Sequence, residues 1–503
     1  MKIILINPPP LYPDGSPVPI QIHHPPLGLL NIAAVLEKAG FNVTICDASI
    51  KNMNFTQIRD ELSKGYDITG ITTLTATRES AYRCTTIAKE VNPQSTVVLG
   101  GPHITFISTT ALKMLPDVDV VVTGEGEQTF LELVQRIDAG QSYHDINGIT
   151  FRNNRYEAVS NPERETVKDL DSLPFPAWHL VPMNNYFRVF AEKEFSIHKP
   201  CTVVMTSRGC PGNCIFCSNR AMWGRGVRRR TPENVMAEIR LLHSDYGVKD
   251  IHFLDDTFTF NKDWCLRFCD LMMRSKLGLS WRCQGRVDTV NRELLTTMRK
   301  AGCYFICYGV ESSSSKMQKI MKKGITAEQA IEAITLTNQT GMLVGADFIL
   351  GLPGEEAEDR EETYAFIRKA PLHTFTLNIP WIFPGTALYY TALQEGKVDE
   401  MDWFRPSPPM EKLPVQILRP FYVCDSFASE DEALRTLQQK TSELTTYRYL
   451  IRRIKLERHR WLSLPHLKRH APRTVLTILR LILRKIRWSI SSKPASGETG
   501  NNP

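Results

Sequence analysis

Three cysteines set the chemistry. In SRGCPGNCIFCSNR, Cys210, Cys214 and Cys217 stand at Cys-x3-Cys-x2-Cys spacing on a loop that carries a proline and a glycine. Thiolates this close can wrap one side of an iron–sulfur cube, and most electron-transfer clusters take four cysteines. With three, one iron keeps no protein thiolate and is free to bind a substrate or cofactor. A zinc knuckle wants a fourth Cys or His at regular spacing, and none follows closely. The other cysteines carry less. Cys265 and Cys269 sit at i, i+4, the spacing of thiols on one buried helix face, and Cys283, Cys303 and Cys307 fall on or beside strand candidates, where small side chains pack.

The thiols need elements to hold them. The loop follows a strand candidate, Thr202–Thr206, the first of six; the others are Asp250–Leu254, Leu279–Gln284, Phe305–Val310, Leu343–Ile349 and Thr376–Pro380, with helix-length segments between. Six βα units fall short of a closed barrel of eight, so an open, partial (β/α)6 barrel is expected, with its working residues at the C-terminal strand ends. Upstream, apolar runs at Ile3–Asn7, Val43–Ala48, Ile68–Leu74, Thr96–Gly101 and Val118–Thr123 alternate with helical patterns at Leu27–Ala39, Arg78–Val91, Thr109–Leu115 and Thr129–Ile137. That alternation predicts a doubly wound, Rossmann-like parallel sheet. The dinucleotide turn Gly-x-Gly-x-x-Gly is missing, since the first strand runs into NPPPLYP. The expected α/β chain thus divides into residues 1–150, an ordered linker at 151–199 with a hairpin over Ile149–Val159, a barrel at 200–405, and a helical C-terminal segment at 406–503 that opens on a helix over Ser429–Thr446.

Composition bounds the partners. With 503 residues, 42% hydrophobic and 23% charged, the chain is ordinarily globular, which excludes wholesale disorder or a fibrous repeat. Its net charge of +7 is unevenly spread. From Arg448 to Lys493 fourteen Lys/Arg face one acid, a local +13 that leaves the body at −6. Within that tail, Val475, Ile478, Leu479, Ile482, Ile486 and Ile490 share one helical face and Arg473, Arg480, Arg484 and Arg487 another, with Trp488 near the boundary. A basic amphipathic helix of this kind lies in a membrane interface or packs on the protein's own core. Nucleic acid is not an expected partner, because no recognised module is present and the body is acidic. The N-terminal apolar run is too short for a signal sequence and no stretch reaches about 18–20 apolar residues. A cytoplasmic protein, peripheral on the membrane at most, is expected, and twelve irregularly spaced cysteines there read as reduced thiols and metal ligands.

The cysteine loop, with Phe216 before its last cysteine, resembles the radical S-adenosylmethionine (SAM) superfamily, and the similarity continues along the barrel. The resemblance implies a 4Fe-4S cluster on Cys210, Cys214 and Cys217, whose open iron chelates SAM and whose reduction yields a 5′-deoxyadenosyl radical. LDDTFTF implies contact of Asp255 and Asp256 with the SAM amino group, where a helix N-cap pair is the plainer alternative. Arg286 of RVD, Glu311 and Ser312 of YGVESSS, and Gly351 and Pro353 of FILGLPGE follow as further cofactor contacts. The run Arg225–Arg230 is read as a phosphate clamp or a solvated loop face.

In the N-terminal half, PPLGLLNIAAVLEKAGF, GGPH (Gly100–His103) and GEGE (Gly124–Glu127) look like the cobalamin-binding domain fused to such enzymes. Cobalamin contacts at Thr72, Gly100, Gly101, His103, Gly124, Glu125 and Gly126 are implied, with the nucleotide tail running past Thr72–Thr77; a capping side chain is the alternative for His103. One departure stands out. The motif Asp-x-His-x-x-Gly falls on Asp47-Ala48-Ser49, with no histidine to ligate cobalt, which fits base-off cobalamin or a domain that has lost its corrin. The implied function is a C-methyltransferase acting on an unactivated carbon of a hydrophobic or membrane-associated small molecule, such as a lipid or tetrapyrrole. A flavodoxin- or ferredoxin-type protein would supply single electrons. The alternatives are an oxidative cyclase of the anaerobic tetrapyrrole type and a non-catalytic cofactor sensor. Methylthio transfer is disfavoured, because the N-terminal half holds only Cys46 and Cys84.

Overall fold

The computed structural model describes residues 1–12, 14–15, 24–193, 196–224, 226–405 and 421–445. The basic segment 448–493 lies outside these. Strands β1 (Lys2–Asn7), β2 (Asn42–Asp47), β3 (Ile68–Thr72), β4 (Thr96–Gly100) and β5 (Val120–Val122) run parallel in the order β2-β1-β3-β4-β5. Their Ile/Val runs are buried almost throughout because helices cover the sheet, the usual state of a parallel sheet. The strand order reverses between β1 and β3, and such sheets bind ligands outside the C-terminal strand ends at that switch. The expected helices are present. One more, Phe55–Leu62, escapes the sequence pattern because it buries only Ile58 and Leu62; an Asn54–Gln57 capping box starts it.

The sheet does not stop at residue 150. The hairpin β6 (Ile149–Arg152) and β7 (Ala158–Ser160) pairs antiparallel onto β5, with Val120 opposite Phe151. The first sheet is therefore seven-stranded and mixed, and the linking segment begins after the hairpin. Pairing with β5 satisfies the backbone of β6 and buries Ile149, Thr150 and Phe151, which a solvated linker could not do.

Strand β8 (Cys201–Val204) opens the second sheet. A short ladder of β9 (Ser207–Arg208) and β10 (Arg228–Arg229) brackets the cysteine loop, and β11 (Asp250–Phe253), β12 (Ser280–Gly285), β13 (Cys303–Glu311), β14 (Leu343–Ile349) and β15 (Thr374–Asn378) follow. The order is β15-β14-β13-β12-β11-β8, all parallel and with sequential strands adjacent, as in an open barrel wall of six βα units. Helices pack on its outer face. Trp281 meets Phe253, Phe258 and Phe268 there at centroid distances of 5.5, 5.2 and 5.7 Å. Such pairs contribute about 0.5–1.5 kcal/mol each beyond their buried area. Gln284 stands opposite Cys307 and Asp347 opposite Thr376, and Cys307 Sγ reaches Asp347, so the four share the inner wall across β12–β15. Beyond the barrel, helix Glu430–Leu444 is capped by Ser429 as its sequence predicts.

Candidate cofactor site

The cysteine loop is held at both ends. Gly209 takes φ +96°, and a Cβ there would lie 2.3 Å from the Gly226 carbonyl oxygen, so only glycine fits between β9 and β10. Within the loop, the Gly212 amide donates to Cys210 Sγ (3.4 Å) and the Cys217 amide to the Cys214 carbonyl (3.2 Å). The point where Gly212 lacks a Cβ is 3.5 Å from Cys210 Sγ, 3.6 Å from Cys214 Sγ and 3.5 Å from Arg286 Nη1. None of the three cysteines is in a disulfide.

Cations stand behind them. Lys323 Nζ lies 6.0 Å from the centre of the Phe216 ring and pairs with Glu311 Oε1 at 2.9 Å. Arg286 pairs with Asp288 and donates to the Lys323 carbonyl at 3.0 Å. Burial pushes the Cys214 thiol up, against the pull of Lys323 and Arg286, and pushes Cys217 up to about 11. A metal binds the thiolate, so loading a cluster here releases those protons. Among the described residues no three His, Cys, Asp or Glu side chains converge to hold a single ion. The residues fit a 4Fe-4S cluster.

The barrel motifs divide into two groups. Glu311, at φ +67°, and Arg286 stand beside the cysteine loop through Lys323. Asp256 faces the large cavity described below, with Asn219 bonded to its carboxylate and burial pushing it up. Asp255 does not reach that cavity. It is buried and accepts from the Thr206 amide and hydroxyl (3.2 and 2.6 Å) and from Ser207, so it pins the strand that carries the loop. Ser312 is likewise buried, bonded to Thr363 at 3.0 Å. Gly351, at φ +94°, and Pro353 form a turn whose Gly351 amide donates to buried Glu355.

The three described arginines of the 225–230 run are neither clamp nor solvated face. Arg228 pairs with Glu125, Arg230 with Glu238, and Arg229 bonds the Thr257 and Phe258 carbonyls beneath Trp264. The inner-wall group centred on Asp347, which accepts from Cys307 (3.5 Å) and Thr376, escaped the sequence reading because no motif spans three strands.

A single cavity joins the two sheets. Its volume is about 460 Å³, within the roughly 300–1,000 Å³ of ligand pockets. Its lining is mainly apolar. On one side stand the C-terminal ends of β1, β3, β4 and β5, with Asn7, Thr72, Gly100, Gly101, Gly124, Glu125 and Gly126. On the other stand Cys217, Asn219, Trp223 and Asp256. Gly101 is required by its own geometry: at φ +108°, a Cβ would meet the Thr73 backbone at 2.8 and 2.9 Å. The position at the strand ends and the glycine edge fit a corrin with its tail along the sheet. His103 does not take part. Its Nδ1 bonds Thr75 Oγ1 (3.1 Å), its ring meets Trp403 edge-on at 5.3 Å, and burial with nearby Arg78 keeps it neutral, well below its ordinary range. Asp47, at the place of the missing motif, holds Asn7 (2.9 Å) and the Tyr186 hydroxyl. It ties the helix Met183–Lys193 to the sheet.

The comparisons with known proteins agree with this geometry. The model of the Radical SAM superfamily matches residues 204–367, and that of the B12 binding domain matches residues 19–134. The chain is 36% identical to an uncharacterized methyltransferase of Pyrococcus horikoshii, over 80% of this chain and 85% of that one. The chain belongs to the cobalamin-binding radical SAM family. This radical SAM enzyme is also 32% identical to the anaerobic magnesium-protoporphyrin IX monomethyl ester cyclase of Rubrivivax gelatinosus, over 76% of its own length and 69% of the cyclase. Its fold matches that of the radical SAM methyltransferase TsrM from Kitasatospora setae, solved with cobalamin and a [4Fe-4S] cluster, at a TM-score of 0.68, 16% identity and 88% coverage of both chains.

Proposed function

We propose that this enzyme transfers a methyl group to an unactivated carbon of a small molecule, using SAM, a 4Fe-4S cluster and cobalamin. The observation that carries the reading is the single cavity running from the glycine-edged end of the first sheet to Cys217. Bound there, the cluster would supply the electron that cleaves SAM, and cobalamin the methyl group. The chain's own residues do the rest. Cys210, Cys214 and Cys217 hold the cluster, with Phe216 packed beneath Lys323, while Lys323 and Arg286 offset its negative charge. Asp256 is placed to take the SAM amino group, and Glu311 and the Gly351–Pro353 turn to shape the rim. Thr72, Gly100, Gly101, Gly124, Glu125 and Gly126 wall the corrin, and the apolar lining excludes water from reactive carbon. An electron donor of flavodoxin or ferredoxin type is required.

The test compares extracts of cells carrying the wild-type gene with cells carrying Cys214→Ala, by mass spectrometry. A metabolite heavier by one CH2, present only with wild type, supports the reading. The cyclase relative favours a second reading, oxidative ring closure, and a product lighter by hydrogen with no added carbon would establish it instead. Among the described residues no helix is long and apolar enough to cross a membrane. The charge asymmetry in the sequence supports a cytoplasmic enzyme whose basic C-terminal segment meets an anionic membrane that presents a lipid or tetrapyrrole substrate. Deletion of residues 448–503 should then lower co-sedimentation with anionic liposomes, and unchanged co-sedimentation would end that idea.

A further inference from the structure

One buried guanidinium joins the two cofactor loops. Arg208 ends β9, two residues before Cys210. Its fork bridges Glu125 (Nη1–Oε2 3.1 Å) and Glu127 (Nη2–Oε1 2.5 Å), both from the GEGE turn after β5. On its other side the guanidinium carbon lies 5.3 Å from the centre of the Trp223 ring, which belongs to the helix just beyond the cysteine loop. Glu125 is fixed further by Arg228 and by the Val167 amide at 3.1 Å. The three side chains at the centre are 7%, 6% and 6% exposed. A forked guanidinium fixes orientation as well as charge, which a point charge cannot.

Arg208, Glu125, Glu127 and Trp223 all line the shared cavity. Gly124 and Gly126, which flank Glu125, form the wall where a corrin would sit. A ligand pressed against that turn therefore meets the two glutamates, the glutamates meet Arg208, and Arg208 is covalently two residues from a cluster cysteine. The remaining cavity wall between the sheets is largely apolar, with Leu27, Met205, Met222 and Leu254, and apolar contacts are non-directional. A buried charged network has few satisfactory arrangements, so it passes on a position where apolar contacts would slide.

We propose that Arg208 is a positioning residue through which the cobalamin loop and the cluster loop sense each other, so that filling either cofactor site tightens the other. The proposal rests on the reading that the cavity takes cobalamin. Linkage makes the effect reciprocal, with one factor in both directions.

The experiment uses the full-length chain, reconstituted with its cluster under anaerobic conditions. Dissociation constants are measured for SAM with and without saturating hydroxocobalamin, and for hydroxocobalamin with and without SAM. In wild type each should tighten the other by the same factor, about five-fold or more. Glu127→Gln keeps the shape and one hydrogen bond to Arg208 but removes the charge, and the factor should fall below about two-fold. Arg208→Lys keeps the charge without the fork and should fall between. Iron content and cluster absorbance equal to wild type show that each variant is folded. Because the readout is a ratio, weaker cobalamin binding alone does not imitate the loss of coupling. An unchanged factor in Glu127→Gln, or no coupling in a wild type that binds both ligands, overturns the proposal and leaves the cobalamin reading standing. A wild type that binds no hydroxocobalamin overturns both.

Discussion

The barrel mouth and the end of the first sheet serve one cavity but are built from different materials. At the mouth, side chains do the work: three thiols, with Lys323 and Arg286 behind them. At the sheet, shape does it: Gly100, Gly101, Gly124 and Gly126 follow the strand ends along the edge, Gly101 and Gly126 packed too close to Thr73 and Ile32 for a Cβ, and apolar side chains line the floor. A metal cluster demands particular atoms, whereas a large flat cofactor demands room. The first demand fixes residue types at fixed spacing; the second leaves only absences, above all the absence of Cβ atoms.

The comparison can be broken most severely at the thiols. Cys214→Ala should remove the cluster absorbance and reduce 5′-deoxyadenosine formation to background. Retention of either would refute a side-chain-built mouth. At the sheet the matching change is one of volume. Gly101→Val adds atoms that meet the Thr73 backbone at 2.8 and 2.9 Å, in a conformation unfavourable to any side chain. Hydroxocobalamin affinity should fall about 10–100-fold, since roughly 1.4 kcal/mol is worth a factor of ten, while iron content stays at the wild-type level. Equal affinity would mean that the corrin sits elsewhere.

A smaller effect separates the two regions by pH. Beside the mouth, burial raises Glu355 from the usual 4.5 to about 7, with the Gly351 amide and Arg360 pulling it back. A carboxyl raised in the fold is favoured protonated there. Its stabilising contribution is complete below about pH 4.5, the ordinary value, and is lost as pH climbs through 7. Wild type should lose up to about 1.4 kcal/mol per pH unit across that window relative to Glu355→Gln. Parallel melting curves from pH 4.5 to 8 would contradict it. The smallest change is expected from His103→Asn. It should cost about 1–2 kcal/mol of stability and leave the EPR spectrum of bound cob(II)alamin as it is, without nitrogen splitting from an imidazole. Splitting in wild type that the variant abolishes would make His103 a ligand after all.

The same contrast explains what could be read from the chain. The six barrel strands are legible because each is a short run rich in apolar or aromatic residues, set off by helix-length segments, and the cysteine loop because its spacing has few other uses. The hairpin at β6 and β7 was visible, but not its partner, since a strand does not record which edge it will join. His103 reads from the sequence as a ligand or a cap for a related reason. A histidine after a strand looks like a ligand, and only the packing of Trp403, some 300 residues on, shows that it is core. Asp255 and Asp256 are adjacent in sequence, yet one pins Thr206 and Ser207 and the other faces the cavity, because the chain turns there, just past the end of β11. Arg208 carried no signal of its own beyond its place before Gly209, since its partners lie more than eighty residues away.

The central claim is that cluster and cobalamin share one cavity. EPR of the full-length enzyme holding cob(II)alamin and a reduced cluster tests it most directly. Two paramagnets in one cavity should broaden or split each other's signals. A spectrum that is the plain sum of the two separate signals would contradict the account.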